Sequence, residues 1–119
     1  MRYTPITAEQ FTGSDGVDDW RVVGDAAEAH FLAPSFPAAG RLVAAVAQAA
    51  EAADHHPDVS LTYPGRVHVA LTTHAVDGLS THDVDLARLI SRLAADAGAV
   101  AEPDPPQPVD PLLPDRSGT

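Results

Sequence analysis

The chain has no cysteine among its 119 residues. Disulfides, thiolate zinc sites, iron–sulfur clusters and cysteine nucleophiles are therefore excluded. Lysine is absent too: the basic residues are seven arginines, set against 17 acids, for a formal net charge of −10. Binding DNA or RNA through phosphates needs a basic footprint that this composition lacks. Attraction to an anionic membrane surface is disfavoured for the same reason. No apolar run approaches the roughly 20 residues of a helical membrane span. The start, Met1 to Phe11, shows no basic segment leading into an apolar one, so no secretory signal is expected. What remains is 45% hydrophobic and 20% charged, the composition of one small globular domain with a modest core. The expected setting is cytoplasmic, with neither nucleic acid nor membrane as a partner.

Proline divides the chain. Pro103, Pro105, Pro106, Pro108, Pro111 and Pro114 crowd the C-terminal end, where missing donors and fixed φ forbid helix interior and central strand. Residues 102–119 are expected to be an extended or disordered tail, and residues 1–101 the folded domain.

Within the domain, Thr7 and Gln10 form a capping-box pattern for a helix that Gly13 and Gly16 cut short. Trp20 to Val23 and Ala27 to Leu32 read as strands around a Gly24-Asp25 turn. Ser35 can cap a long helix with Pro37 in its first turn. Ala39, Leu42, Val43, Val46, Ala50 and Ala53 line one side of it, and Pro57 ends it near His55. Alternating residues from Val59 to Tyr63 and from Val67 to Leu71 make a hairpin about Pro64-Gly65. Ser80 or Thr81 can cap a last helix that carries Leu86, Leu89, Ile90, Leu93 and Ala97. The expected fold is α+β, a four-stranded antiparallel sheet with helices on one face, in the order helix-strand-strand-helix-strand-strand-helix. Open sheet edges and the Leu86, Leu89, Leu93 stripe favour a homodimer or homotetramer.

Histidine is the outlier. Four of the six lie between positions 55 and 74. His55 and His56 fall at the end of the long helix, where cations are also favoured by the helix dipole. Glu51, four residues before His55, would share its face and could orient it, fixing its tautomer. His74 follows Thr73 at the end of a strand. Asp83 falls in the first turn of the last helix, where a carboxylate also serves as a cap. His30 and His68 read as surface residues. Three histidines and a carboxylate can bind zinc, but no zinc spacing is present and no metal is expected. Nor is there a phosphate-cradling glycine loop or a serine nucleophile elbow.

The run Glu51-Ala52-Ala53-Asp54-His55-His56-Pro57, followed by Tyr63, Thr72-Thr73-His74, Gly78-Leu79-Ser80 and Asp83, resembles the signature of the pterin-4a-carbinolamine dehydratases. Trp20-Arg21-Val22 and Phe36 extend the likeness. The resemblance implies dehydration of a 4a-hydroxytetrahydropterin to a quinonoid dihydropterin, the recycling step after aromatic amino-acid hydroxylation. It implies His55, His56 and His74 as the catalytic set, with Glu51, Pro57, Thr73 and Asp83 binding the pterin or orienting those histidines. No cofactor is expected, since the pterin is the substrate. The expected partners are that pterin, further copies of the chain and an aromatic amino-acid hydroxylase of the same pathway. The alternative is a non-catalytic scaffold on the same fold, a coactivator or assembly chaperone. Two departures stand out: Val59 where an aromatic is frequent, and one extra residue in the Pro64-Gly65-Arg66 turn.

Overall fold

A computed structural model of the protein describes residues 3–102. The expected proline-rich tail therefore lies, apart from Glu102, outside the described residues. The chain opens with a two-residue strand β1 (Pro5–Ile6) and a short helix α1 (Ala8–Thr12). Thr7 and Gln10 close the capping box in both directions, at 3.0 and 2.8 Å.

Strands β2 (Arg21–Val23) and β3 (Ala26–Leu32) form the first hairpin, and helix α2 (Phe36–Ala53) follows. Ser35 caps α2 by accepting from the Ala38 amide at 3.1 Å, with Pro37 in the first turn. The helix ends earlier than Pro57 alone would dictate. Asp54 adopts a left-handed conformation (φ 52°, ψ 43°) and its amide bonds back to the last turn. Ala39, Leu42, Val46 and Ala50 of the expected stripe are buried, whereas Ala53 is exposed and Ala38 takes a place in the core.

The second hairpin joins β4 (Asp58–Thr62) to β5 (Arg66–Leu71). A 3-10 turn over His74–Val76 leads to the short strand β6 (Leu79–Ser80) and helix α3 (Thr81–Asp96), and β7 (Val100–Ala101) closes the domain. The principal sheet runs β2-β3-β5-β4, all antiparallel. It has five strands, not four, because β7 pairs with Phe31 and Leu32 at the end of β3, beyond the part that β2 covers. A second, two-stranded sheet pairs β1 with β6. Neither addition was legible: two-residue strands carry no periodicity.

Strand alternation sorts the two faces. Ala27, Ala29 and Phe31 of β3 and Val67, Val69 and Leu71 of β5 are buried beneath α2 and α3, joined by Phe11, Trp20 and Ile90. Burying a side chain such as Phe31 or Leu71 contributes about 1.5–3 kcal/mol. The opposite face presents Glu28 and His30 on β3 and Arg66 and His68 on β5. Tyr63, expected to continue the apolar alternation, is 87% exposed beyond the end of β4. Leu86 of the expected oligomerisation stripe is buried within the chain, and Leu89 and Leu93 pack partly against its core. That stripe is largely consumed by the domain's own packing. Among the described residues, no helix is long and apolar enough to cross a membrane.

Candidate active site

The centre of the site is a buried aspartate. Ser80 is the N-cap of α3 and Asp83 is the third residue of the helix. The Asp83 Oδ2 atom accepts the Ser80 amide at 2.8 Å, the reciprocal half of a capping box. Oδ2 also accepts the Thr73 hydroxyl at 2.7 Å. Since Thr73 spends its one proton there, the 2.8 Å contact between Thr73 Oγ1 and Ser80 Oγ has Ser80 as donor. The other oxygen, Oδ1, lies 2.6 Å from Nε2 of His55. Asp83 is wholly buried and His55 is 7% exposed.

Three elements converge to make this arrangement. His55 follows the left-handed turn at Asp54, and its amide bonds to the Ala50 carbonyl at 3.1 Å. Thr73 pairs with Gly78 across the 3-10 turn, its amide reaching the Gly78 carbonyl at 2.7 Å. Asp83 is fixed by the helix start. An ionised aspartate only accepts, so Nε2 of His55 is the donor and the neutral ring keeps its lone pair on Nδ1.

The expected partnership of Glu51 with His55 is not what the structure holds. The left-handed residue between helix and histidine breaks the i,i+4 geometry. Glu51 Oε1 instead lies 2.8 Å from Nε2 of His56, on the surface, with Glu51 81% and His56 60% exposed. Asp83 takes the orienting place at His55. Pro57 is half-buried directly after the two histidines. His74 lies on the 3-10 turn beside buried Thr73, with its own side chain exposed. No hydrogen bond or ring contact joins His74 to His55 among the described residues. A surface cleft of about 240 Å³ beside that turn, between Ile6, Val22, Asp25 and Val76, includes none of the seven expected site residues.

Two rings near His55 escaped the sequence reading. The β1–β6 pairing, with the Thr81 amide bonded to the Thr4 carbonyl at 3.1 Å, brings the N-terminal segment against the start of α3. Tyr3 thereby meets His82 edge to face, with ring centres 4.7 Å apart. The His55 ring centre is 6.2 Å from Tyr3 and 6.1 Å from His82. The Nδ1 atom of His82 is buried and has no hydrogen-bond partner among the described residues. The available signal was Ser80-Thr81-His82-Asp83, which places a second imidazole in the same helix turn as the aspartate.

Fold and site together define a class: small α+β domains with a buried histidine–aspartate pair where two loops meet a helix start. The comparisons narrow that class. Residues 4–93 match the sequence profile of the pterin 4 alpha carbinolamine dehydratase family. The chain belongs to this family. It is 45% identical over 83 residues to a Nocardia farcinica protein provisionally named pterin-4-alpha-carbinolamine dehydratase, covering 70% of this chain and 86% of that one. A Thermosynechococcus vestitus protein with the same provisional name is 44% identical over 75 residues, covering 63% of this chain and 78% of that one. The crystal structure of a transcriptional coactivator/pterin dehydratase from Brucella melitensis superposes with a TM-score of 0.61 at 34% identity, covering 65% of this chain and 83% of that one.

Proposed function

We propose that the protein dehydrates a 4a-hydroxytetrahydropterin to the quinonoid dihydropterin, with histidine as general acid and base. The observation that carries this reading is the buried His55–Asp83 pair within a chain of the dehydratase family. The 4a-hydroxyl is a poor leaving group and departs as water once it receives a proton. The N5 hydrogen leaves as a proton, and its bonding pair forms the C4a–N5 double bond. One acid and one base suffice, and no electron is gained or lost. Imidazole, with an ordinary pKa of about 6.5, serves either role near neutral pH. A positioned acid–base group contributes about 10²–10⁴ in rate.

In this reading His55 is the proton-transfer group that Asp83 holds in one tautomer, and His74 is its counterpart across the substrate. His56, braced by Glu51, binds the pterin, with Pro57 and Thr73 shaping and fixing the loops around it. The unpaired Nδ1 of His82 supports a polar ligand beside His55, since a buried nitrogen left without a partner costs about 1–3 kcal/mol. The reaction as written calls on no metal or cofactor. Stopped-flow absorbance on chemically generated 4a-hydroxytetrahydropterin tests it, with the spontaneous reaction subtracted. Dehydration accelerated by the protein is expected, and a rate equal to the spontaneous one would remove the enzymatic reading. The second reading, a binding scaffold, is favoured by one observation: the Brucella melitensis relative is described as a coactivator as well as a dehydratase. A partner protein retained by a chain without dehydratase activity would support it.

A further inference from the structure

A second histidine cluster lies on the sheet face turned away from the helices. Alternation along β3 puts Glu28 and His30 on that face, and the β3–β5 register sets His30 directly opposite His68. The two rings stack, with centres 4.5 Å apart and planes inclined by 26°. Nε2 of His68 lies 2.7 Å from Oε1 of Glu28. One ligand atom from each of Glu28, His30 and His68 falls within 4.8 Å of the other two, and all three residues are half-buried.

We propose that Glu28, His30 and His68 form a binding site for a divalent transition-metal ion of the zinc class. Two imidazole nitrogens and one carboxylate oxygen are the donors such ions take, whereas calcium and magnesium call for oxygen throughout. Three protein ligands leave a fourth position for water. A tetrahedral site with bonds of about 2.0–2.1 Å needs donors about 3.3 Å apart. The Glu28–His68 pair opens slightly to reach that spacing, and the other separations, none above 4.8 Å, adjust through side-chain rotation on a fixed sheet ladder. In the metal-free protein a hydrogen bond joins His68 Nε2 and Glu28 Oε1, and an ion taking the place of its hydrogen leaves the neutral ring with its proton on Nδ1. Glu102 lies at the edge of the cluster, its amide donating to the His30 carbonyl at 2.8 Å. Glu102 is itself engaged by Arg66 at 3.1 Å. The acidic chain also favours a dication. The cluster shares no residue with the dehydratase reading, so the two stand or fall separately.

The test uses the full-length, untagged chain stripped of metal. Zn²⁺ binding is followed by calorimetry, and Co²⁺ binding by visible absorption bands whose intensity reports a low-coordinate site. One ion per chain is expected. His30→Asn and His68→Asn should each weaken binding by about tenfold or more, and Glu28→Gln by a smaller factor, with circular dichroism verifying the fold. Zn²⁺ titration of the unaltered protein, watched by imidazole proton resonances, keeps the question open to refutation if a variant fails to fold: the His30 and His68 signals should respond first. Unchanged affinity in folded variants would overturn the proposal. So would binding lost in His56→Asn instead, or a first response at His55 or His56.

Discussion

Oδ1 of Asp83 and Nε2 of His55 stand 2.6 Å apart, and the same aspartate closes the capping box of α3 through its other oxygen. One side chain thus couples a helix start to the orientation of a ring 28 residues away. Asp83→Ala would leave the His55 ring N–H, the Thr73 hydroxyl and the Ser80 amide without their acceptor. A loss of about 3–5 kcal/mol in unfolding free energy is expected, the size seen when a buried charged partner is removed. Urea unfolding measures it. Asp83→Asn should fold, because an amide oxygen can still accept from Ser80 and Thr73. Its NH₂ would then face His55 and demand an acceptor at Nε2. The His55 tautomer is therefore expected to switch, visible in the ¹⁵N shifts of the ring. Dehydration should slow with it.

For the acid–base set, His55→Ala and His74→Ala are each expected to lower kcat by about 10²-fold or more, since each removes a group acting in the transition state. The double variant should lose far less than the product of the two losses, because the two groups serve one elimination. Wild-type kcat in both single variants would contradict the acid–base roles.

The sequence displayed most of the scaffold and less of the wiring. The capping pairs Thr7–Gln10 and Ser80–Asp83 are local, so both helix starts were legible. The faces of β3 and β5 followed from strict alternation. The Glu51–His55 pairing failed because it assumed that helical spacing continues through Asp54, and a left-handed residue leaves no mark in hydropathy. The Asp83–His55 contact spans 28 residues and depends on Thr73 and the β1–β6 clamp, which no local pattern encodes. His30 and His68 looked like surface residues on their own strands. Only the register, fixed by the whole hairpin, sets them opposite each other.

Glu51 now carries a narrower role. Its partner His56 is largely exposed, and exposed ion pairs contribute little to stability. Glu51→Gln should leave the melting temperature essentially unchanged while raising KM, as His56→Ala would. A fall in kcat with KM constant would return Glu51 to the orientation of a catalytic ring.

Self-association is expected to use the sheet edges and the exposed apolar side chains Val23, Phe36, Tyr63 and Val100, not the Leu86 stripe. β2 and β4 end the main strand path, and an unpaired edge invites another strand. Sedimentation velocity at micromolar concentration should give a dimer or tetramer. A stable 12.4 kDa monomer would contradict this.

The stacked pair on the sheet also sets a pH dependence. The His30 pKa is lowered in the folded chain, first by burial and then by the charge of His68, with Glu28 and Glu102 pulling the other way. The unfolded chain therefore binds more protons between the folded value and the ordinary 6.5. Stability rises with pH wherever that holds. The stabilisation from a neutral His30 is complete above the ordinary value and is lost as pH falls through it, the slope vanishing once the folded pKa is passed. His30→Asn removes this proton while keeping a polar side chain opposite His68. Urea unfolding of metal-free protein from about pH 7.5 to about pH 5 should show wild type losing more stability than the variant as acid is added. Parallel losses would mean that His30 titrates alike in both states. A steeper loss in the variant would mean that the fold favours its charged form, with Glu28 and Glu102 outweighing burial.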